Sequence, residues 1–334
     1  MLGSLFFMYI AESRFALWAD FIERTFLDEG FKELIAQGII NGATSNPAIF
    51  KSAILTSPAY KEQLSGLQGL SAKEKYEALA VYDIQKAADI LRPLYDKGDD
   101  GYVSIEVDPF LCDDAEATIN EGIRLHQMIK RPNVMIKVPA TKAGYEAMET
   151  LAASGIAVNA TLIFSPQQAL ECAKAFERSA RNTQQAVDTV ISVFVSRIDR
   201  AIDDTLAQKG MATGLTGIMN AADIYNRVEA LGVPKCRVLF ASTGVKGNDL
   251  RASYYIDELL APNSVNTAPI ATIEAYVGGG DKTMKLPLNA AVIEEHMNHL
   301  SSAGISMESV IDQQIAEGLE AFKIAFNEIL NALE

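Results

Sequence analysis

The stretch Val134-Met135-Ile136-Lys137-Val138-Pro139-Ala140-Thr141 decides the fold, because it sets one charged side chain within an apolar, β-branched run. Such a run predicts a buried strand, and Pro139 marks its end because proline cannot donate to a strand ladder. Burial at this place would strip water from Lys137 and disfavour its charged form. A neutral amine is a nucleophile, and desolvated lysines form Schiff bases with carbonyl substrates. The alternative is a lysine whose stem lies on apolar surface while its head reaches water.

Seven further apolar runs are short enough to be strands, and stretches of helical periodicity separate them. This alternation predicts parallel strands joined by right-handed crossovers, and eight units favour a closed (β/α)8 TIM barrel. An open, doubly wound sheet remains the alternative, although no GxGxxG motif follows the first strand. The further strand runs are 15–19, 38–43, 103–107, 157–164, 187–195, 237–241 and 265–267, and the clearest helical stretches are 71–95, 115–129, 166–181 and 221–231.

No Pro/Gly/Ser-rich linker divides the 334 residues, so we expect a single barrel domain over 1–334. Two regions exceed a minimal barrel: a helical insertion near 52–95, after the second strand, and a C-terminal helical extension near 289–334. The apolar segment 2–10 lacks the basic start and cleavage site of a signal peptide and is too short to span a membrane. We interpret it as a short packed helix or a start-site artefact.

Composition excludes several partners. The net charge of −14 argues against binding nucleic acid or an anionic membrane surface non-specifically. Three widely spaced cysteines, Cys112, Cys172 and Cys236, are typical of reduced thiols in a cytoplasmic protein. The only three histidines fall in helical stretches, so we expect no metal site.

Strand after strand ends in a side chain capable of chemistry, and the carboxyl ends of barrel strands converge on one mouth. A single polar residue in an apolar strand is usually a satisfied structural hydrogen bond. Six or seven such strand ends together favour an active site. The candidates are Asp20, Asn46, Glu106, Lys137, Asn159, Thr161, Ser192, Phe194, Arg197, Ser242 and Lys246.

The chemistry open to this set is the addition of an amine to a ketone, followed by C–C cleavage through the imine. These steps move protons, so a carboxylate and a hydroxyl are needed near the amine. Glu106 and Asp20 are candidates for the carboxylate, and Thr161 for holding a relay water. Asn46 and Asn159 offer neutral partners for sugar hydroxyls.

The late strands supply a cationic and hydroxyl set where barrels often bind phosphate. Arg197 can grip a phosphate with two hydrogen bonds, whereas Lys246 acts as a point charge. Ser242 lies between them in the sequence and adds a hydroxyl.

The chain resembles the transaldolase family, in its longer, bacterial-type form. The segment Gly42-Ala43-Thr44-Ser45-Asn46-Pro47-Ala48-Ile49-Phe50 is similar to the first family signature, and 136–141 with Gly144 is similar to the signature around the Schiff-base lysine. The resemblance covers roughly residues 14 to 330. Further similar blocks, in the expected order, are 17–20, 104–108, 159–165, 191–197 and 241–246.

The resemblance implies a cofactor-free, metal-free (β/α)8 enzyme of the pentose phosphate pathway. It would transfer a dihydroxyacetone unit from sedoheptulose 7-phosphate to glyceraldehyde 3-phosphate, giving erythrose 4-phosphate and fructose 6-phosphate. By matching positions, Lys137 would form the Schiff base, Glu106 with Thr161 and a water would shuttle protons, and Asp20 would act in C–C cleavage. The implied substrate-binding residues are Asn46, Asn159 and Ser192 for the three-carbon unit and Arg197, Ser242 and Lys246 for the phosphate, with Phe194 also in the binding site.

Two departures from the family pattern stand out. Tyr145 replaces a small aliphatic residue, which we interpret as a packing variation. The seventh-strand block lacks the Ser-x-Arg of shorter relatives, so the phosphate role passes to Lys246 by position only. The resemblance also leaves a homodimer open.

Two other functions compete with the transferase. The related fructose 6-phosphate aldolases release free dihydroxyacetone, but they are much shorter and carry a tyrosine where this chain has Phe194. A non-catalytic barrel that binds sugar phosphates or a protein partner should have lost some strand-end groups, and none of the key ones is missing.

Overall fold

Eight parallel strands close into a barrel in sequence order, and β1 pairs with both β2 and β8. The structure, a computed structural model, describes residues 13–247 and 249–334, so the interpretation of 2–10 lies outside the described residues. The closed (β/α)8 barrel is therefore confirmed and the open sheet is excluded. The strands are β1 Ala16–Ala19, β2 Gly42–Ala43, β3 Tyr102–Glu106, β4 Val134–Pro139, β5 Val158–Ile163, β6 Thr189–Phe194, β7 Cys236–Ala241 and β8 Ser264–Ala268.

Helices cover the outside of the barrel and extend past its mouth. Short 3₁₀ turns lie at Pro58–Tyr60 and Pro109–Leu111. The α-helices are α1 Arg24–Asp28, α2 Gly30–Ala36, α3 Pro47–Thr56, α4 Lys61–Ser65, α5 Ala72–Tyr95, α6 Ala115–Ile129, α7 Lys142–Ala153, α8 Pro166–Thr183, α9 Ser196–Gln208, α10 Thr216–Leu231, α11 Tyr254–Asp257, α12 Ile270–Gly279, α13 Ala290–Ser302 and α14 Met307–Leu333.

Side-chain caps explain where several helices begin. Ser71 and Glu74 form a reciprocal capping box at the start of α5, and Ser165 and Gln168 form another before α8. Thr141 caps α7 by accepting from the amide of Gly144 at 3.0 Å. Thr141, two residues after the end of β4, therefore has a structural role as the N-cap of α7.

The second strand is much shorter than the predicted run 38–43. Gly38 has a left-handed φ of 69° and ends the turn after α2, which leaves only two residues paired. Gly42 lies against the buried indole of Trp18, where an added Cβ would come within 2.5 Å of the ring. The Trp18 indole N–H also donates to Asp100 at 2.9 Å. The barrel thus closes around a large aromatic ring at the position where only glycine fits.

The C-terminal helix α14 packs across the carboxyl end of the barrel. Its Phe326 ring meets Tyr76 of α5 edge-on at 5.2 Å, and Tyr76 meets Phe50 of α3 at 5.9 Å. The helices of the predicted insertion and of the C-terminal extension therefore support each other. No helix in the described ranges has the length and apolarity needed to cross a membrane.

Candidate active site

A cavity of about 170 Å³ lies at the carboxyl end of the barrel, under α14. Strands β4, β6, β7 and β8 contribute to its wall, together with the segments that follow β1 and β2. Seven residues predicted from the sequence line it: Asp20, Asn46, Lys137, Ser192, Phe194, Arg197 and Ser242.

Lys137 is only 5% exposed, as the apolar strand predicts. Its ammonium group lies 3.5 Å from a carboxylate oxygen of Glu106 and donates to the backbone carbonyl of Ser45 at 3.2 Å. The ring of Phe322 from α14 covers the Nζ atom at 5.6 Å from the ring centroid. Glu106, Lys137 and Asn159 are direct neighbours in the registers of β3, β4 and β5. The parallel pairing thus fixes the carboxylate beside the amine.

Burial raises the pKa of Glu106 to about 7, and the neighbouring charge of Lys137 limits the rise. Within the described part of the chain, neither carboxylate oxygen of Glu106 has a hydrogen-bond partner, and neither has the hydroxyl of Thr161. Thr161 lies opposite Pro139, two residues beyond Lys137 on the same side of the sheet. Buried polar atoms without hydrogen-bond partners are rare in protein interiors. The Glu106 carboxylate and the Thr161 hydroxyl are therefore available to bind a small polar molecule such as water.

Asp20 follows β1 and lies in a different environment from Glu106. Burial raises its pKa, while the charge of Lys137 and a hydrogen bond from Thr44 oppose that rise. The Thr44 hydroxyl is 2.7 Å from Asp20 Oδ1 and also 2.7 Å from the hydroxyl of Thr267 on β8. Two carboxyl groups with different surroundings therefore flank one amine, which is the arrangement that separates acid and base roles.

Amide and hydroxyl side chains form a buried network on the opposite side of the amine. Asn159 donates to Ser104 at 3.0 Å and accepts from Ser192 at 2.6 Å. Asn46 accepts from the backbone N–H of Ile49, which caps α3 and leaves its NH₂ group free to donate. Ser192 and Asn46 reach the cavity, whereas Asn159 lies behind Ser192.

Phe194, Arg197 and Ser242 form the third side of the cavity. The Arg197 guanidinium lies 5.2 Å from the centroid of the Phe194 ring. Burial lowers the pKa of Arg197, and the nearby Arg200 adds to the lowering. Ser242 is 3.1 Å from the hydroxyl of Ser196 at the start of α9. A cation and a hydroxyl thus meet where the late strands end.

Lys246 does not line this cavity. It lies in a neighbouring depression of about 250 Å³, together with Ser196, Arg200 and Asp203. The family match predicted that Lys246 binds the phosphate together with Arg197. In the structure, Lys246 and Arg197 line two different depressions.

Six residues of the cavity wall are not among the candidates predicted from the sequence, and two of these are Thr267, which contacts Thr44, and Phe322, which contacts Lys137. Thr267 is the penultimate residue of β8, so the strand-end rule that selected the other candidates identifies it once that weak run is accepted as a strand. Phe322 lies in the middle of α14, and only its helical periodicity was visible. Nothing in the sequence showed that its ring would cover Lys137.

The cysteines and histidines take no part in this cavity. Cys112, Cys172 and Cys236 are buried and free. Across residues 13–247 and 249–334, no group of three His, Cys, Asp or Glu side chains is placed to hold a metal ion.

Comparison with known proteins identifies the family of the chain. Residues 17–333 match the family described as Transaldolase/Fructose-6-phosphate aldolase. A transaldolase of Campylobacter jejuni subsp. jejuni serotype O:6 is 47% identical over 334 residues, covering 96% of this chain and 99% of the relative. A transaldolase of Helicobacter pylori strain Shi470 is 43% identical over 319 residues, covering 95% and 99%.

The fold is that of a (β/α)8 barrel, and the candidate site lies at the end of the barrel where enzymes of this fold act. The family match extends over nearly the whole barrel and includes the helix that covers the cavity. The chain belongs to the transaldolase/fructose-6-phosphate aldolase family, and it is an enzyme of the transaldolase kind.

Proposed function

We propose that the enzyme moves a dihydroxyacetone unit from sedoheptulose 7-phosphate to glyceraldehyde 3-phosphate, with Lys137 as the Schiff-base residue. The observation that carries the proposal is the buried Lys137 amine, 3.5 Å from Glu106 and in one cavity with Asp20. The products are erythrose 4-phosphate and fructose 6-phosphate, and the reaction belongs to the pentose phosphate pathway.

In the first stage, Lys137 passes its ammonium proton to Glu106, the neutral amine adds to the ketose carbonyl, and the carbinolamine then loses water to give the imine. Glu106 gives a proton to the departing hydroxyl and later takes one back. Its pKa of about 7 supports this role, because a group that is half protonated near neutral pH can both give and accept protons. The hydroxyl of Thr161, which has no partner among the described residues, would hold the water that leaves.

In the second stage, the Asp20 carboxylate takes the proton of the C4 hydroxyl. The C3–C4 bond breaks, its electron pair moves into the protonated imine to form an enamine, and erythrose 4-phosphate leaves as an aldehyde. The enamine carbon then attacks the aldehyde carbon of glyceraldehyde 3-phosphate, and Asp20 returns its proton to the oxygen that becomes the new hydroxyl. Hydrolysis of the imine releases fructose 6-phosphate and restores the Lys137 amine.

The positions of the predicted substrate-binding residues support direct contact with the substrate for some of them and not for Lys246. Asn46 and Ser192 reach the cavity and can hold the three-carbon unit, with Asn159 orienting Ser192 from behind. Arg197 and Ser242 line the same cavity and suit the phosphate. The separate position of Lys246 supports long-range attraction of the anion rather than direct grip.

Trapping the covalent adduct tests the proposal. Borohydride reduction in the presence of fructose 6-phosphate should add the reduced three-carbon or six-carbon unit to Lys137, as seen by intact mass and peptide mapping. Lys137→Met should abolish the adduct, whereas Lys142→Met, at an exposed position at the start of α7, should leave it unchanged. An adduct on another lysine, or none in active protein, would overturn the assignment.

A second assay separates transfer from release. Phe194 stands where the aldolases of the family carry a tyrosine, and it presents no hydroxyl to the cavity. We therefore expect little free dihydroxyacetone without an acceptor and rapid transfer when glyceraldehyde 3-phosphate is added. Release as fast as transfer would assign the chain to the aldolase activity instead.

The cellular setting and assembly are part of the same proposal. Three free, buried cysteines support a reducing, cytoplasmic compartment. The single domain over 1–334 and the homodimer stay predictions, which limited proteolysis and light scattering would test.

A further inference from the structure

The Thr44 hydroxyl stands between Asp20 and Thr267. It is 2.7 Å from Asp20 Oδ1 and 2.7 Å from Thr267 Oγ1. Thr44 and Thr267 are 2% and 3% exposed, so bulk water does not compete for these hydrogen bonds. Thr267 also reaches the cavity wall, across β1 from Thr44.

The direction of the two hydrogen bonds follows from proton count. A threonine hydroxyl carries one proton, and an ionised carboxylate can only accept. When Asp20 is charged, Thr44 must donate to it, so Thr267 must donate to Thr44. When Asp20 carries a proton, it can donate to Thr44, and both hydroxyls can turn the other way.

We propose that Thr267 is a positioning residue for the C–C cleavage step. Its hydroxyl donates to Thr44 and so directs the hydroxyl proton of Thr44 toward Asp20, which favours the charged, proton-accepting form of that carboxylate. This inference rests on the proposed role of Asp20 in C–C cleavage. It assigns Thr267 no contact with the reacting atoms. A chain of two aligned hydroxyls polarises each bond, which strengthens the hydrogen bond that Asp20 receives.

Other charges also act on Asp20 and must be kept constant in a test. Lys137 on β4 and Arg197 on α9 line the same cavity, and Glu106 on β3 faces Lys137 from the far side. A substitution at Thr267 changes none of these charges. The effect of the hydrogen bonds from Thr267 to Thr44 and from Thr44 to Asp20 can therefore be measured separately from the effect of the nearby charges.

The test compares Thr267→Val, Thr267→Ser and the wild type in two assays. Valine has nearly the shape of threonine but no hydroxyl, whereas serine keeps the donor. The first assay traps the Lys137 adduct with fructose 6-phosphate and borohydride. The second measures the pH profile of glyceraldehyde 3-phosphate release in the presence of erythrose 4-phosphate as acceptor.

We expect Thr267→Val to trap the adduct as fully as the wild type. The acid limb of its turnover profile should move up by about half a pH unit, which lowers turnover on that limb about threefold with KM little changed. Thr267→Ser should restore the wild-type limb. Thr189→Val is the matched control, since Thr189 is also buried in a strand but lies at the amino end of β6.

Three results would overturn the inference. One is a Thr267→Val profile that matches the wild type. A second is equal impairment in the valine and serine variants, which would show that shape rather than the hydroxyl matters. A third is a loss of trapping equal to the loss of turnover, which would place the effect in imine formation. Absence of an adduct on wild-type Lys137 would refute the proposed function itself, and the inference with it.

Discussion

Replacing Lys137 by methionine should make the free energy of unfolding of the enzyme fall as the pH rises above 7. The substitution removes the cation that lies 3.5 Å from Glu106, while both oxygens of that carboxylate have no hydrogen-bond partner among the described residues. Since Lys137 is what limits the pKa of Glu106 to about 7, the pKa must rise further in the variant.

The sign follows from proton linkage. An unfolded glutamate has a pKa near 4.5, so a higher folded pKa means that the folded state holds its proton longer. Stability is then lost as pH rises from 4.5 to the folded pKa. In the wild type this loss ends near pH 7, at about 3 kcal/mol. In Lys137→Met it continues above pH 7, by up to about 1.4 kcal/mol per pH unit, until the pH reaches the higher folded pKa.

Urea unfolding at about pH 5.5, 7 and 8.5 measures this difference. The single tryptophan, Trp18, is fully buried in β1 and reports unfolding by fluorescence. Lys137→Met should track the wild type between pH 5.5 and 7, apart from a constant offset, and then diverge. The double variant with Glu106→Gln should lose the divergence. Parallel curves for the wild type and the single variant would refute the reasoning, and so would divergence that persists in the double variant.

Three other variants test the catalytic role of Asp20, the covering of the amine by Phe322 and the packing of Gly42 against Trp18. Asp20→Asn should lower turnover by a factor of about 10² to 10⁴ while borohydride still traps the imine, and loss of trapping would contradict the division of roles. Phe322→Ala should destabilise the protein by about 3 kcal/mol in urea and raise release of dihydroxyacetone without acceptor, because the ring that covers the amine is gone. Gly42→Ala should cost about 1–3 kcal/mol in thermal unfolding because of the Trp18 ring, and an unchanged midpoint would disprove the predicted clash.

The sequence predicted the parts of the fold that depend on local pattern. The run around Lys137 has the apolar, β-branched composition of a buried strand, and β4 occupies 134–139. The helix predicted at 115–129 is α6 in the structure, with Asp114 as its N-cap. The strand-end rule placed seven of its candidates around one cavity, because parallel pairing in a barrel leaves little freedom in where strand ends converge.

Features that the sequence does not reveal depend on contacts between distant segments. The predicted run 38–43 is apolar apart from Asn41, but a left-handed turn at Gly38 begins it and only Gly42 and Ala43 pair with neighbouring strands. Phe322 lies 185 positions after Lys137 in the numbering, and only the packing of α14 across the barrel brings its ring to the amine. Lys246 follows β7 by five residues, and its loop carries it to the neighbouring depression. No short-range pattern contains this information.

The position of α14 has a consequence for how the enzyme is made. Translation runs from the amino end, so all eight strands leave the ribosome before the segment that contributes Ala321 and Phe322 to the cavity wall. Until that segment docks, the amine on β4 remains open to water and to any passing carbonyl compound. Assembly of the reactive chamber is thereby delayed until the barrel is already complete.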